Sequence, residues 1–447
     1  MKNLGKYFKG DKTIWLIILL LALFSLLVVY SSTAAIISRS SNASPFYFFA
    51  KQLMFFGVGF IILYVTHRVP YQLFLAVAKI GFFVSLALLI LTFLIGNSYN
   101  QASRTLGFFQ PSELAKVMLI VYVAKLLTVK QDIITDLKKG YRPILWPILA
   151  TCFFIFLSNF STAAILGTTC CIMMFIGRVK IKHLLGTIGV LLLLLVIGVG
   201  VAKGVNTYAD YKVLKGEKIE GALKSAMKII NKTRFETIYS RLEAKVGNNK
   251  KTDSGNEELG QSDYSRLAIA SGGLLMGKGP GNSTMRYILP EAFSDFVFAI
   301  IVEEWGVLIS CFLVLAYLII LFRVGVMVRK STHFFPALLA IGISVQITMQ
   351  ALVNMCVATG IAPVTGQNLP LISQGGSSII ATCIMFGMLL SVSRSLKTED
   401  AEGEAENKPD ELTSPDKPDK TNAVATKNSN TEQETSKQIA INTLANL

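Results

Sequence analysis

The sequence predicts an all-α polytopic membrane protein with ten transmembrane helices, both termini in the cytoplasm and one large extracytoplasmic loop. Three observations lead to this prediction. Apolar residues make up 52% of the 447 positions and charged residues only 16%, which excludes an ordinary soluble protein. Apolar windows of about 20 residues, the length that crosses a bilayer, recur along the chain. Lys and Arg cluster in alternate joints between these windows, and such clusters stay on the cytoplasmic side.

The apolar windows fall between residues 13 and 396, the predicted transmembrane domain. The predicted spans are 13–36, 47–66, 72–95, 112–129, 143–159, 161–177, 183–202, 295–322, 335–357 and 376–396. Residues 1–12 precede them as a cytoplasmic N-terminus. Residues 397–447 are rich in Asp, Glu, Lys, Pro and Ser with scarcely an aromatic, so we expect a disordered cytoplasmic tail.

The basic residues also explain the net charge of +15. They lie before the first span and after the second, fourth, sixth, eighth and tenth, which are the joints assigned to the cytoplasm. This topological pattern, together with attraction to anionic membrane lipids, accounts for the charge. We therefore expect no nucleic-acid partner.

The longest joint, residues 203–294, is predicted to be extracytoplasmic, and loops of this length are usually functional. Apolar residues recur within it at helical spacing from Ile219 to Leu242 among many charged ones, which indicates an amphipathic helix on the membrane surface. Two interpretations stay open. The segment either covers the transmembrane bundle or forms a platform for a substrate or partner.

Four polar clusters lie near the predicted outer face, where ionisable groups are costly and tend to be functional. The first runs from Arg104 to Lys116. Within it Ser112 can cap the fourth span, and Glu113 and Lys116 lie three residues apart on one helix face. This pair either forms a local ion pair, or Lys116 acts with Arg104 to hold a pyrophosphate.

The second cluster is a glycine-rich stretch from Ser271 to Asn282. It approaches a nucleotide-binding loop between Gly272 and Lys278, but Gly279 replaces the Ser or Thr that would contact magnesium. The predicted location outside the cell also argues against a nucleotide. A flexible turn is one interpretation, and backbone amides that receive an anionic phosphate are the other.

The third cluster centres on Asp295, at the end of the long outer loop, with Glu291 before it and Glu303 and Glu304 further along the same helix. An acid at a helix start is often a cap. Its position where a membrane helix begins, at the predicted outer face, supports a second interpretation: a general base that acts on a lipid-anchored substrate.

The fourth cluster, residues 360–378, has no charge and is dense in Gly, Pro, Ser and Thr between the ninth and tenth spans. Irregular backbone at membrane depth is tolerated only where protein or a watery cavity surrounds it. We therefore expect this segment to line the wall of a cavity.

These clusters, in this order and on this topology, resemble the SEDS family of shape, elongation, division and sporulation proteins. The similarity covers residues 10–396 and depends on the motifs 110–116, 289–299 and 363–378. It implies a ten-helix peptidoglycan glycosyltransferase of the inner membrane that polymerises lipid II on the outer leaflet at the division septum. It also implies a class B penicillin-binding protein and other divisome membrane proteins as partners. The division branch is the nearer match, and the elongation branch is the alternative.

The resemblance carries roles onto individual residues. Asp295 matches the essential aspartate, our candidate base, while Arg104 matches a conserved loop arginine and Glu113 with Lys116 the conserved helix pair. Arg104, Lys116 or a divalent cation (Mg or Mn) would stabilise the leaving diphosphate. The expected substrate contacts are Gln110, Ser112, Glu113, Lys116, Arg104, Lys278, Thr365, Ser373, Gly375, Gly376 and Ser377.

Some positions depart from the family pattern: Phe293 replaces His, Thr105 replaces Trp, Gln374 replaces Tyr, and Leu157-Ser158-Asn159 replaces Gln-Pro-Asp. None of them removes the Asp295 carboxylate, although the loss of the acid at Asn159 removes any acidic role there. A carrier that flips the same lipid and a scaffold that recruits a partner are the competing hypotheses. The polar clusters favour the enzyme because all of them map to one face.

Overall fold

The computed structural model describes residues 9–32, 45–95, 97–99, 102–105, 110–189, 260–289 and 292–406. This part of the chain is almost entirely helical. The helices are α1 (Lys12–Ser32), α2 (Pro45–Arg68), α3 (Tyr71–Ile95), α4 (Pro111–Val129), α5 (Arg142–Ser158), α6 (Phe160–Ile176), α7 (181–189), α8 (Gln261–Ser271), α9 (Val297–Arg329), α10 (Phe334–Ala358) and α11 (Gly376–Glu406).

Seven helices in the described ranges are long and apolar enough to cross a membrane, namely α1, α2, α3, α5, α9, α10 and α11. The predicted polytopic helical architecture is confirmed to that extent. α4 is 19 residues long but carries three charged side chains, and α6 has 17 residues. The seventh predicted span, 183–202, is described only over residues 183–189. The predicted amphipathic helix, Glu291 and the tail beyond residue 406 lie outside the described residues.

Helix boundaries agree closely with the apolar windows. The predicted span 112–129 is α4, and the predicted span 335–357 is α10. α11 departs from its window, since its backbone stays helical to Glu406, ten residues beyond the predicted end at 396. Hydropathy locates where a helix leaves lipid, whereas a helix in water can continue past that point.

The joint between α3 and α4 is a local exception in this helical architecture. Here β1 (Asn97–Tyr99) and β2 (Ala102–Thr105) pair antiparallel, with Ser98 opposite Ser103. The joint runs from residue 96 to residue 110, and the strand pair satisfies backbone hydrogen-bonding groups within it.

The eighth predicted span, 295–322, is longer than expected and is broken. α9 extends to Arg329, and Gly306 interrupts it with φ +83°. The glycine-rich turn bonds to the break: the amides of 278–279 donate to the carbonyls of 303–304 at 2.9 Å, and the amides of 307–308 donate to the carbonyls of 273–274 at 3.2 Å. Backbone groups freed by a break at membrane depth need such partners, because lipid offers none.

This contact explains the glycines that suggested a nucleotide-binding loop. A Cβ at Gly272 would lie 2.1 Å from the carbonyl oxygen of Val302, and one at Gly277 would lie 2.3 Å from the carbonyl carbon of Glu304. Only glycine permits so close an approach between two backbones. These glycines therefore serve backbone packing, and the amides of residues 278–279 are already bonded to α9.

The centre of the bundle is formed by α10 and α11. Within their most apolar windows 72% and 78% of the residues are buried, against 22% for α2, which has an apolar outer surface suited to lipid. α2 packs on α11, α9 on α10, and α3 on α4. The start of α9, the end of α10 and the start of α11, which belong to the predicted outer face, meet at the candidate site.

Candidate active site

The loop before α9 orients Asp295 through its apolar neighbours. Leu289, Ala292, Phe296 and Ile300 are buried in one small cluster. Their spacing of three to four residues directs one side of the segment inward, and Asp295 remains half-buried. The N-cap position of α9 is Phe296, which has no capping side chain. Asp295 precedes that position, so it is not the N-cap residue of α9.

The backbone around Asp295 is held by three hydrogen bonds from other elements. The three consecutive carbonyls of residues 293–295 accept from the amide of Gln374 (3.0 Å), the hydroxyl of Ser373 (2.6 Å) and the side-chain amide of Asn354 (2.8 Å). Ser373 also accepts from the amide of Leu369 at 2.8 Å. The fourth sequence cluster thus holds the carbonyls of residues 293 and 294, and α10 holds the carbonyl of Asp295.

The segment between α10 and α11 lies directly beside that carboxylate. Gly366 has φ +66°, and a Cβ there would lie 3.3 Å from Oδ2 of Asp295. The chain is irregular from residue 360 to residue 375. The segment thus borders Asp295, and its expected role as the wall of a cavity stays a prediction.

Lys116 is enclosed within the bundle, with only 1% of its surface exposed. Its Nζ lies 2.9 Å from Oε1 of Glu113 and 3.2 Å from Oε1 of Gln350, and Gln350 donates to the carbonyl of Asn368 at 2.9 Å. The ion pair expected from the spacing is present. Gln350 connects it to the same irregular segment that borders Asp295.

Three buried amide side chains form a polar stripe on α10 that sequence analysis missed. Gln346, Gln350 and Asn354 follow one another at intervals of four residues, and each is at most 3% exposed. The hydroxyl of Thr169 on α6 donates to Gln346 at 3.1 Å. Their spacing within an apolar helix was visible in the sequence and could have identified the stripe.

Three polar side-chain atoms near Asp295 have no hydrogen-bond partner within the described part of the protein. They are Oδ1 of Asn354, Oγ1 of Thr365 and Oε1 of Gln374. Asn354 also donates to the carbonyl of Asp295, and the backbone amide of Gln374 donates to the carbonyl of Phe293. Buried polar groups are rarely left unpaired, so these atoms are suited to a hydroxyl-rich ligand.

The remaining predicted contacts occupy different positions. The amide of Gln110 donates to Ser377 at 3.1 Å, which joins the start of α4 to the start of α11. Ser112 is buried inside α4, and its predicted capping role was wrong, because Gln110 is the N-cap residue and Pro111 occupies the first turn. Arg104 lies on β2.

Lys278 is bound to the helix break. Its Nζ lies 2.6 Å from Oε1 of Glu303 and 3.0 Å from Oγ1 of Thr284. Glu304 accepts from Ser31 of α1, and its Oε1 lies 4.0 Å from the guanidinium of Arg286. Both glutamates therefore tie the base of the outer loop to the bundle.

Two glycines of the fourth cluster are closely packed. A Cβ at Gly375 would lie 2.9 Å from Nδ2 of Asn368, and one at Gly376 would lie 2.4 Å from the ring of Phe55 on α2. A larger residue would require Asn368 or Phe55 to move, so packing favours glycine at both positions. A substrate contact through their backbone stays a prediction.

Comparison with known proteins identifies the family. Residues 11–398 match the family described as "Cell cycle protein", FtsW/RodA/SpoVE. The chain belongs to this family, the SEDS family. Stage V sporulation protein E of Bacillus subtilis is 29% identical over 86% of this chain and 98% of its own length. A "Probable peptidoglycan glycosyltransferase FtsW" of Geobacter sulfurreducens is 32% identical over 79% of this chain and 87% of its own.

Solved structures share the SEDS fold. A chain from a study of the coordination of polymerization and crosslinking by a peptidoglycan synthase complex superposes with TM-score 0.62 at 22% identity, covering 87% of this chain and 98% of that one. The rod shape determining protein RodA of Thermus thermophilus gives TM-score 0.58 at 21% identity, covering 86% and 97%. At these identities the likeness concerns the fold alone.

Three of the residues that depart from the SEDS pattern, Phe293, Gln374 and Asn159, lie in the described part of the structure. Phe293 and Gln374 are neighbours, joined by a backbone hydrogen bond that any residue type can make. Asn159 caps α6, since its Oδ1 accepts from the amides of Ser161 (3.2 Å) and Thr162 (3.4 Å). Aspartate and asparagine are equally good caps, so the change to Asn159 preserves this structural role.

Proposed function

We propose that this SEDS protein is a peptidoglycan glycosyltransferase that polymerises lipid II into glycan strands. Its support is family membership, the activity named for the FtsW relatives, and the anchoring of Asp295. The anchoring carries the most weight. A carboxylate on a loop fixed at three consecutive carbonyls is preorganised, and a general base depends on such positioning.

In the proposed reaction the acceptor hydroxyl oxygen bonds to the anomeric carbon of the donor glycan. The hydroxyl proton passes to a carboxylate oxygen of Asp295. The bond between the anomeric carbon and the diphosphate oxygen breaks, and its electron pair leaves on polyprenyl diphosphate. Attack opposite the leaving group converts an α-linked donor into a β-linked polymer. One base and a good leaving group suffice, so a second carboxylic acid is not required.

The leaving diphosphate gains negative charge, which fixed positive groups would stabilise by about 3 to 4 kcal/mol each. Arg104 and Lys116 are the candidates. Glu113 offsets the charge of Lys116 at 2.9 Å, so Arg104 is the better source of net positive charge. We propose the other polar contacts for the glycan: Gln110, Ser112, Lys278, Thr365, Ser373, Gly375, Gly376 and Ser377.

A divalent cation, Mg²⁺ or Mn²⁺, would neutralise charge on the diphosphate. Among the described residues no group of three or more His, Cys, Asp or Glu side chains is placed to hold a metal. Magnesium commonly takes one or two carboxylates together with water and substrate phosphates. Asp295 and the unpartnered oxygens of Asn354 and Thr365 fit such an incomplete protein ligand set.

A carrier that flips lipid II is the second candidate, since a polar stripe inside a helix bundle also suits transport. The stripe of α10 runs from Asn354 through Gln350 to Gln346, near the middle of the helix. The next two positions at the same spacing, further inward on α10, are Gly342 and Leu338, and neither has a polar side chain. A stripe that opens toward one face favours an enzyme over alternating access.

The biological setting is also a proposal. We propose a role in septal wall synthesis at the inner membrane, with a class B penicillin-binding protein and other divisome proteins as partners. Relatives from division and from sporulation are about equally similar, at 28–32% identity. Depletion in the source bacterium distinguishes the branches: cells that grow as filaments indicate division, and cells that become round indicate elongation.

The test of the activity is polymerisation of purified lipid II by the detergent-solubilised full-length protein, alone and with a class B penicillin-binding protein. Asp295→Asn preserves shape and removes the base, so glycan formation should fall at least 100-fold. The matched control is Asp263→Asn, which removes an exposed carboxylate from α8. Equal product from wild type and Asp295→Asn would refute the role of Asp295. No product from folded wild type, even with the partner, would favour the carrier or scaffold.

A further inference from the structure

Two lysines face the groove between α3 and α4, far from the candidate active site. Lys125 lies on α4, four residues before its end at Val129, and is 4% exposed. Lys79 lies on α3, eight residues after its start at Tyr71, and is exposed. At 1.5 Å per residue they lie about 6 Å and 12 Å inside their helix ends. Both ends are on the face that the Lys and Arg distribution predicts to be cytoplasmic.

The ammonium of Lys125 is a buried cation without an acidic or polar partner. Its Nζ makes no hydrogen bond, and the five salt bridges found among described residues do not include it. The charge that acts on it most is Lys79, which is also positive. Two neighbouring cations at membrane depth are costly unless an anion lies between them.

Aromatic rings set the depth of this pair. Phe82, one turn outward from Lys79, stacks on Tyr122, one turn outward from Lys125, with ring centroids 4.7 Å apart and planes at 16°. The stack closes the groove on its outer side and holds both lysines at one level. On the other side, Ile80 and Phe83 of α3 are 68% and 54% exposed and face the lipid.

We propose that Lys79 and Lys125 bind the phosphate of an anionic phospholipid from the cytoplasmic leaflet. The lipid's acyl chains would lie along the apolar surface of α3 beside Ile80 and Phe83. The headgroup would enter from the nearby helix ends and supply the missing negative charge. Basic pockets between transmembrane helices on the cytoplasmic side are suited to this ligand class. The assignment does not depend on the proposed enzymatic activity.

Native mass spectrometry of the full-length protein tests the proposal, with titrations of dioleoylphosphatidylglycerol and dioleoylphosphatidylcholine. We expect the wild type to bind the anionic phosphatidylglycerol more tightly than the zwitterionic phosphatidylcholine. Each of Lys79→Met and Lys125→Met should bind phosphatidylglycerol about fivefold more weakly, since one basic residue contributes about 1 kcal/mol. The matched control, Lys130→Met, removes a cation at the end of α4 whose Nζ already donates to the carbonyl of Lys139 at 3.2 Å. It should bind as wild type does.

Unchanged preference for the anionic lipid in Lys79→Met and Lys125→Met would overturn the proposal. Competition by millimolar inorganic phosphate that abolishes lipid binding would overturn the lipid assignment, because it would indicate a site for free phosphate. If Lys125→Met does not fold, Lys125→Arg and the exposed-site variant Lys79→Met decide the question. Arg should retain binding, and Lys79→Met should weaken it.

Discussion

Replacement of Asn354 by leucine is expected to slow glycan polymerisation while the protein stays folded. The side-chain amide of Asn354 donates to the carbonyl of Asp295 at 2.8 Å and to the carbonyl of Gln367 at 2.6 Å. It therefore couples the loop that carries the candidate base to the wall beside it. Leucine has a similar shape and donates neither bond.

The magnitude follows from the two bonds. A neutral hydrogen bond contributes about 0.5 to 1.5 kcal/mol net, so the loss of two costs about 1 to 3 kcal/mol. If the whole cost falls on the transition state, the turnover rate decreases about 5- to 150-fold. Asp295 itself is intact, so the shape of the pH profile should not change. We expect a lower kcat with a smaller change in KM, because Asn354 positions the base.

The assay is the initial rate of lipid II polymerisation, with thermal unfolding in the same detergent. The matched control is Gln346→Leu, two turns inward on the same stripe, which loses the bond from Thr169 and does not contact the loop before α9. It should lower the melting temperature and leave kcat unchanged. Folded Asn354→Leu that polymerises at the wild-type rate would refute the positioning argument, and equal losses of kcat in both variants would indicate a general packing effect.

Two further predictions concern stability. Lys116→Met leaves the Glu113 carboxylate buried without its cation, so we expect a loss of about 3 to 5 kcal/mol in unfolding free energy. The double variant Lys116→Met/Glu113→Gln should recover most of this loss. The unfolding free energies can be measured by chemical denaturation in detergent. A double variant that is no more stable than Lys116→Met would contradict the argument. Burial acts to raise the pKa of Asp11, but its bond to Arg323 and the amides of the first turn of α1 outweigh burial and lower that pKa. The resulting stabilisation is complete above about pH 4, the pKa expected in the unfolded chain, and is lost as pH falls through the lower folded value. Melting temperatures measured from pH 5 to pH 3 should therefore decrease less for Asp11→Asn than for wild type, and parallel curves would contradict this prediction.

Helix positions were predictable because they depend on a local property. A backbone in lipid must satisfy its own hydrogen bonds, so a sufficiently long apolar run becomes a helix whatever surrounds it. This explains the agreement for α4 and α10. The Glu113–Lys116 pair was predictable for a related reason, since residues three apart on a helix are neighbours in any fold. The family followed from motifs that could be seen in order along the chain.

The break at Gly306 and the stripe on α10 depended on contacts between distant parts of the chain. A single glycine in an apolar run gives no indication that the turn 273–279 will pair with the backbone on both sides of it. In the same way, three amides four residues apart do not reveal which carbonyls they will hold. The pairing of β1 with β2 likewise depended on which residues the fold brings opposite one another.

The amino-acid sequence alone determined that this chain crosses the membrane, where most of its helices begin and end, and which carboxylate to examine. Only the tertiary structure decided that Asp295 stands on a loop held by Gln374, Ser373 and Asn354. Whether a segment leaves water for lipid depends on its own apolar content, so it can be predicted from the local sequence. The geometry of a site depends on which segments meet, and those distances arise only when the whole bundle packs.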